Sequence, residues 1–167
     1  MDRDPKHLQY ILQRGAAHVG TSVMEIYQNC NVFNDGAFFV YSDKETKSAE
    51  ALFVEDGKPL IFGENGSKGI KLNDSSPKIV DLTSGEFGVN DLWVHNEKDA
   101  FKAHMLSRFF DDPRMEGHFP RPFGVIYAQE RPTYEVAVQE QLRQAKEMQG
   151  EGDLDVLLKG KQTWEIV

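Results

Sequence analysis

The stretch SVMEIYQNCNVFNDG, residues 22–36, decides how the chain is read. Val23, Met24, Ile26 and Tyr27 make residues 22–28 a candidate buried strand, and the Asn-Cys-Asn at 29–31 breaks the run. Cys30 is the only cysteine in the chain. Strand ends are where α/β proteins keep their chemistry, so the question is what a lone thiol does there.

Upstream, Asp4-Pro5 is a helix start, with Asp4 as N-cap and Pro5 at the first helical position. Leu8, Ile11, Leu12, Gly15 and Val19 share one face, and Gly20 supplies a stop. Helix, glycine turn and buried strand make half of a βαβ unit, entered in its middle. Downstream, an aromatic and then charged loop leads into residues 51–90, where the pattern changes. ALFVEDGKPLIFG, residues 51–63, carries a hairpin signal around Asp56-Gly57. SKGIKLN, KIVDL and DLWVH add short strands, which together read as a small antiparallel insertion. Asn96 is the expected cap of a helix reaching Phe110, with Glu97 and Asp99 in its first turn. GVIYA, residues 124–128, reads as a strand, and Thr133 opens a helix carrying Val138, Leu142 and Ala145 on one face. The fold class expected is therefore α/β, a partial parallel-sheet domain with an antiparallel insertion and a C-terminal helix.

The bulk properties bound the partners. The 167 residues are 40% hydrophobic and 28% charged, with a net charge of −8. One domain with a real core fits that length. The acidic balance argues against nucleic acid and against an anionic membrane surface, both of which need a basic footprint. No apolar run approaches the roughly 20 residues that span a bilayer, and MDRDPKH has none of the features of a signal peptide. A single cysteine excludes an internal disulfide and suits a reducing cytosol. These features lead us to expect a soluble, cytoplasmic chain.

Taken residue by residue, the chemistry is incomplete. Cys30 could be a small buried hydrophobe. As a nucleophile it would need a base and an orienting group, and nothing in the pattern aims His7 or His18 at it. As a metal ligand it would need partners from elsewhere, because a complete site takes three or four donors. GENGSKG, residues 63–69, lacks the order of a phosphate loop and reads as a turn between strands. His95 and His104 are too far apart for a helical ligand pair, and His104 reads as a helix-surface residue. Asp111, Asp112 and Glu116 could meet a hard cation, but their spacing matches no calcium loop; a solvated loop is the plainer reading. Arg131, Tyr134 and Glu135 at a helix start read as capping plus a surface ion pair.

The segment HLQYILQRGAAHVGTSVMEIYQNCNVFND closely resembles the thiamine-diphosphate-binding β subunit of 2-oxoacid:ferredoxin oxidoreductases, and EIYQNCNVFNDGA resembles the 2-oxoglutarate branch in particular. PRPFGVIYAQERPTYE, residues 120–135, is similar to the family's C-terminal signature, so the likeness runs through nearly all of residues 4–167. The resemblance implies that Cys30 is the fourth thiolate of a 4Fe-4S cluster, the usual complement of such a cubane being four cysteines. It implies weaker cofactor-side roles for Asn29, Asn31, Asn34 and Asp35, and no catalytic residue. Residues 1–49 would be the end of the thiamine-diphosphate-binding domain and residues 50–167 the family's C-terminal region, packed with it as one unit.

The family's subunit is much longer, and its first half supplies the remaining cysteines and the Gly-Asp-Gly…Asn motif that holds Mg2+ against the diphosphate. None of these is present here. Met1 is accordingly expected to be an internal methionine of a longer chain. In the complete enzyme the resemblance implies oxidative decarboxylation of a 2-oxoacid to acyl-CoA, with electrons passing to ferredoxin. Its partners would be the rest of the β subunit, an α subunit, ferredoxin, coenzyme A and the 2-oxoacid. The cofactors would be thiamine diphosphate, Mg2+ and the cluster, none of them expected on this chain alone, which should be inactive. The alternative is a truncated, non-catalytic docking module. An exposed strand edge also predicts self-association, giving a homo-oligomer.

Overall fold

The computed structural model describes residues 1–74, 76–109, 117–161 and 164. They fall into two compact units, Met1–Glu130 and Arg131–Val167. The acidic set Asp111, Asp112 and Glu116, and Phe110 with them, lie outside the described residues.

Helix α1 (Pro5–Ala17) opens the first unit as its sequence requires. The Asp4 carboxylate accepts the His7 amide at 3.1 Å, and Pro5 stands where its missing N–H costs nothing. No residue of α1 is fully buried. The helix is tied down by polar contacts instead: Lys47 Nζ lies 2.8 Å from Asp4, and Arg14 bonds Glu97.

The strand expected over residues 22–28 is not formed. That segment has no regular secondary structure, and Val23 is 93% exposed. A strand exists only where neighbouring backbone accepts and donates its hydrogen bonds, and both sheets here are built from residues 51–124. The half βαβ unit read from the sequence is thus corrected to a helix followed by an unpaired segment.

Helix α2 (Lys47–Glu50) runs directly into strand β1 (Ala51–Val54). The hairpin expected around Asp56-Gly57 is also corrected. The turn does form, with Lys58 N bonded to Glu55 O at 3.1 Å and Gly57 at φ +72°. The chain beyond it does not return to β1. Instead β1 pairs in parallel with β5 (Arg121–Gly124), Ala51 opposite Arg121 and Val54 opposite Gly124. This β5 precedes the expected GVIYA strand by three residues. A Cβ on Gly124 would sit 2.3 Å from the Val54 carbonyl oxygen, and its φ is +148°, so only glycine allows this approach.

The second sheet has the antiparallel order β2 (Ile61–Phe62), β3 (Lys68–Asn73), β4 (Ser76–Asp81). A 3-10 turn at Glu64–Gly66 joins β2 to β3, as read from GENGSKG. DLWVH joins the edge through a Pro59–Val94 bridge, with Leu60 N bonded to Trp93 O and Trp93 N to Ile70 O. Helix α3 (Ala100–Leu106) starts later than expected. Asp99 is its cap, accepting the Lys102 amide at 3.0 Å, while the Asn96 side chain is spent on the Lys98 amide.

The main core joins Leu52, Leu60, Ile70, Trp93, Leu106 and Phe109. Phe109 is fully buried, stacked on Phe119 at 4.6 Å and edge-on to Trp93 at 6.1 Å. A smaller cluster of Met1, Ala51 and Phe123, flanked by Tyr27, Tyr41 and Phe53, sits behind β1 and β5.

In the second unit Thr133 caps helix α4 (Tyr134–Gln149), as expected, and Asp153 caps α5 (Leu154–Lys159). Neither helix contains a buried residue. The α/β class, with a parallel strand pair and a small antiparallel sheet, is the one the sequence predicts. Among the described residues no helix is long and apolar enough to cross a membrane.

Candidate functional site

Cys30 sits in a tight turn rather than at the end of a paired strand. An isolated antiparallel bridge joins Cys30 to Asn34, with Asn34 N donating to Cys30 O at 2.9 Å. The thiol is half-buried. The backbone amides of Phe33, then Val32 and Asn34, favour the charged sulfur and lower its pKa below the ordinary thiol value, while desolvation and Asp35's charge oppose them. Backbone amides converging on one atom form an anion-binding nest, and a thiolate is the state in which sulfur binds metals or attacks electrophiles.

The sequence-predicted neighbours are brought together here. Asn29 Nδ2 donates to Asn31 Oδ1 at 2.7 Å and to Asp35 Oδ1 at 2.9 Å. Asn29 Oδ1 accepts the Gly36 amide at 2.8 Å. Gly36 has φ +79°, and no Cβ clash requires glycine there, so the backbone angle alone does. The base of the turn is anchored to the first residues of the chain: Asn29 N donates to Asp2 Oδ2 at 3.3 Å, and Asp2 N to Tyr27 O at 3.0 Å. Tyr27 in turn stacks on Phe38 at 4.5 Å and meets the edge of Phe123 at 5.6 Å. The turn is therefore fastened to the smaller core.

The other candidates of the first unit stand apart from it. His7 packs edge-on against Phe53 at 4.9 Å, and burial holds its pKa below the usual histidine value. His95 is buried, with Nε2 2.8 Å from Val125 O, and serves the fold. His104 is exposed on α3. In the second unit, Tyr134 is exposed and Glu135 lies in the first turn of α4, where backbone and Thr133 hydrogen bonds lower its pKa.

Two features were invisible in the sequence. One is the influence of backbone amides on the Cys30 thiol, because backbone donors leave no residue-type signal. The other is the Arg14–Glu97 pair, whose partners lie too far apart in the chain for any spacing rule.

Among the described residues, no group of three or more His, Cys, Asp and Glu side chains could hold a metal ion. One corner of a metal–sulfur cluster is a different demand. It needs a single thiolate, accessible and stabilised by amides, and Cys30 fits that.

The chain matches no protein-family model and no solved structure. It is 31% identical over 173 residues to the 2-oxoglutarate oxidoreductase subunit KorB of Mycobacterium tuberculosis. That alignment takes in 99% of this chain and 44% of the relative, its C-terminal part. The chain thus spans less than half the length of the curated relative it matches, and the likeness to the C-terminal part of such a subunit holds.

Proposed function

We propose that this chain is the C-terminal portion of the β subunit of a 2-oxoacid oxidoreductase, with 2-oxoglutarate as the acid and ferredoxin as the electron acceptor. The carrying observation is the identity to KorB across 99% of the chain. The turn that presents Cys30, with backbone amides that lower its thiol pKa, supports it independently of that alignment.

In this reading Cys30 contributes one thiolate to a 4Fe-4S cluster, and the other ligands and the Mg2+-holding residues come from the rest of the subunit. The bound groups supply the hard chemistry, decarboxylation on thiamine diphosphate and one-electron storage in the cluster, with the acyl group leaving on coenzyme A. This chain's own residues hold the ligand in place. The Phe33, Val32 and Asn34 amides favour the deprotonated sulfur that a metal takes. Asn29, Asn31, Asn34 and Asp35 form the wall around it, within residues 1–49, which we assign to the end of the thiamine-diphosphate-binding domain. Residues 50–167 form the scaffold and the surface for the α subunit. The chain by itself is inactive, and its place is the cytoplasm.

The test is anaerobic purification of the assembled complex carrying Cys30→Ser. Iron should fall below the wild-type content while the subunits stay associated. Wild-type iron in that variant overturns the assignment of Cys30.

A second reading, a non-catalytic docking module, is favoured by the apolar residues left uncovered on the second unit. Leu142, Met148, Leu157 and Trp164 are all more than half exposed there. A module of that kind would assemble with its partner without acquiring iron in either form.

A further inference from the structure

We infer that Asn29 is the positioning residue of the Cys30 turn: its carboxamide straps the turn from both sides, fixes the loop whose residue 32 and 33 amides flank the sulfur, and contacts no cofactor. This rests on the reading of Cys30 as a cluster ligand and changes the part given above to Asn29.

The argument begins with what a carboxamide can do. It has two N–H donors on nitrogen and an oxygen that accepts. Both donors of Asn29 are engaged, one on Asn31 Oδ1 at 2.7 Å and one on Asp35 Oδ1 at 2.9 Å. The oxygen is engaged by the Gly36 amide at 2.8 Å. The backbone N–H is committed as well, to Asp2 Oδ2 at 3.3 Å. No donor of Asn29 is left for a diphosphate or a metal-bound group.

These bonds reach residue 31 on one side of the turn tip and residues 35 and 36 on the other. The Asn34 N–Cys30 O bond then closes the loop between them at 2.9 Å. With both flanks fixed and the Asn34 amide spent on Cys30 O, the amides of Phe33 and Val32 are the donors left on the side of the Cys30 sulfur. No other common side chain of this length combines an acceptor with two donors. Aspartate has the same shape, but it offers no donor and would set a second carboxylate against Asp35.

N–H···S bonds stabilise the more electron-rich state of a cluster, so their number and direction are among the levers on its potential. Asn29 acts on that potential through Cys30, without touching the metal.

The test uses Asn29→Asp, the double variant Asn29→Asp with Asp35→Asn, and Cys30→Ser. On the chain as it stands, hydrogen exchange at the Asn34 and Gly36 amides reports the turn. In the assembled complex, iron content and the EPR-monitored midpoint potential report the cluster. Asn29→Asp should speed exchange at both amides by roughly 5- to 30-fold, the loss of one or two hydrogen bonds. It should also lower the midpoint potential or deplete iron. The double variant should recover both readouts, because Asn at 35 can donate to Asp at 29.

Three results would overturn the proposal: unchanged exchange in Asn29→Asp, fast exchange with wild-type iron and potential, or no recovery in the double variant. Wild-type iron in Cys30→Ser strikes the ligand reading instead, and the exchange data then judge the strap on their own.

Discussion

Arg14 and Glu97, 83 residues apart in sequence, close a two-pronged ion pair, with Nη2–Oε2 at 2.6 Å and Nη1–Oε1 at 3.3 Å. The pair fastens α1 to the segment leading into α3. Glu97 is buried to 6% exposure, and its backbone is held too, its amide donating to Asp56 and its carbonyl accepting from Ala128. Glu97 raises the Arg14 pKa further above its already high value, with Tyr10 adding to it.

Removing one partner should therefore be unequal in cost. Arg14→Ala strands a buried carboxylate, a loss of about 1–3 kcal/mol, at the modest end for a buried pair because the arginine itself is part-exposed. Glu97→Gln leaves an arginine that water can reach and should cost less. The double variant should lose less than the sum of the two. Urea denaturation midpoints decide it, and a neutral Arg14→Ala would contradict the assignment.

Cys30 should show its environment in its reactivity. The amides of Phe33, Val32 and Asn34 lower its pKa, so the folded thiol titrates below the unfolded one. The pH midpoint of its alkylation rate should lie lower in the native chain than in the same chain in urea. An equal or higher native midpoint would show that the amides do not reach the sulfur.

His7 sets an acid limit on stability. Burial depresses its folded pKa from 6.5, so below about that pH the unfolded chain takes up a proton that the folded chain resists. The stability this group supplies is complete above the unfolded value and is lost as pH falls below it. His7→Phe should flatten that fall between pH 7 and pH 5. An identical pH profile for the variant and the parent would refute the role.

Gly124 should tolerate no side chain. Alanine would place its Cβ 2.3 Å from Val54 O at φ +148°, so Gly124→Ala must break the last β1–β5 pairing. Gly57→Ala provides the comparison, since that glycine has positive φ but open space around it. The first should abolish cooperative thermal unfolding, whereas the second should lower Tm by only a few degrees, roughly 1 kcal/mol. Comparable losses in the two would mean that backbone angle, rather than the close approach, governs both sites.

Local signals were legible in the sequence, and distant pairings were not. Asp4-Pro5, Thr133 and the strands at SKGIKLN and KIVDL read correctly because cap, period and turn lie within a few residues of one another. The Asp56-Gly57 turn was visible, but the partner of the chain beyond it was not. Residues 58–60 pair with the Trp93–His95 backbone, and that choice rests on tertiary contacts. Apolar spacing over residues 22–28 gave a strand signal, yet pattern without a neighbouring strand yields none. Asn96 and Asp99 are both good caps; the helix took the later one because Asn96 first closes its own turn on Lys98. At the candidate site, the residues could be picked out by resemblance. Their arrangement, with the Asn29 side chain bonded to Asn31, Asp35 and Gly36 and the Asn34 amide closing on Cys30 O, could not.

The parallel pairing of Ala51 with Arg121 also predicts an order of events in time. Strands β3 and β4 meet across a short connection and can zip as soon as they are synthesised. Strand β1 must wait for β5, and each doubling of the intervening loop adds about 0.6 kcal/mol to its closure. Folding of the first unit should therefore be limited by this late, non-local docking, with a preformed hairpin and an uncovered β1 as the vulnerable interval. On the ribosome that interval should last until the chain beyond Gly124 has cleared the exit.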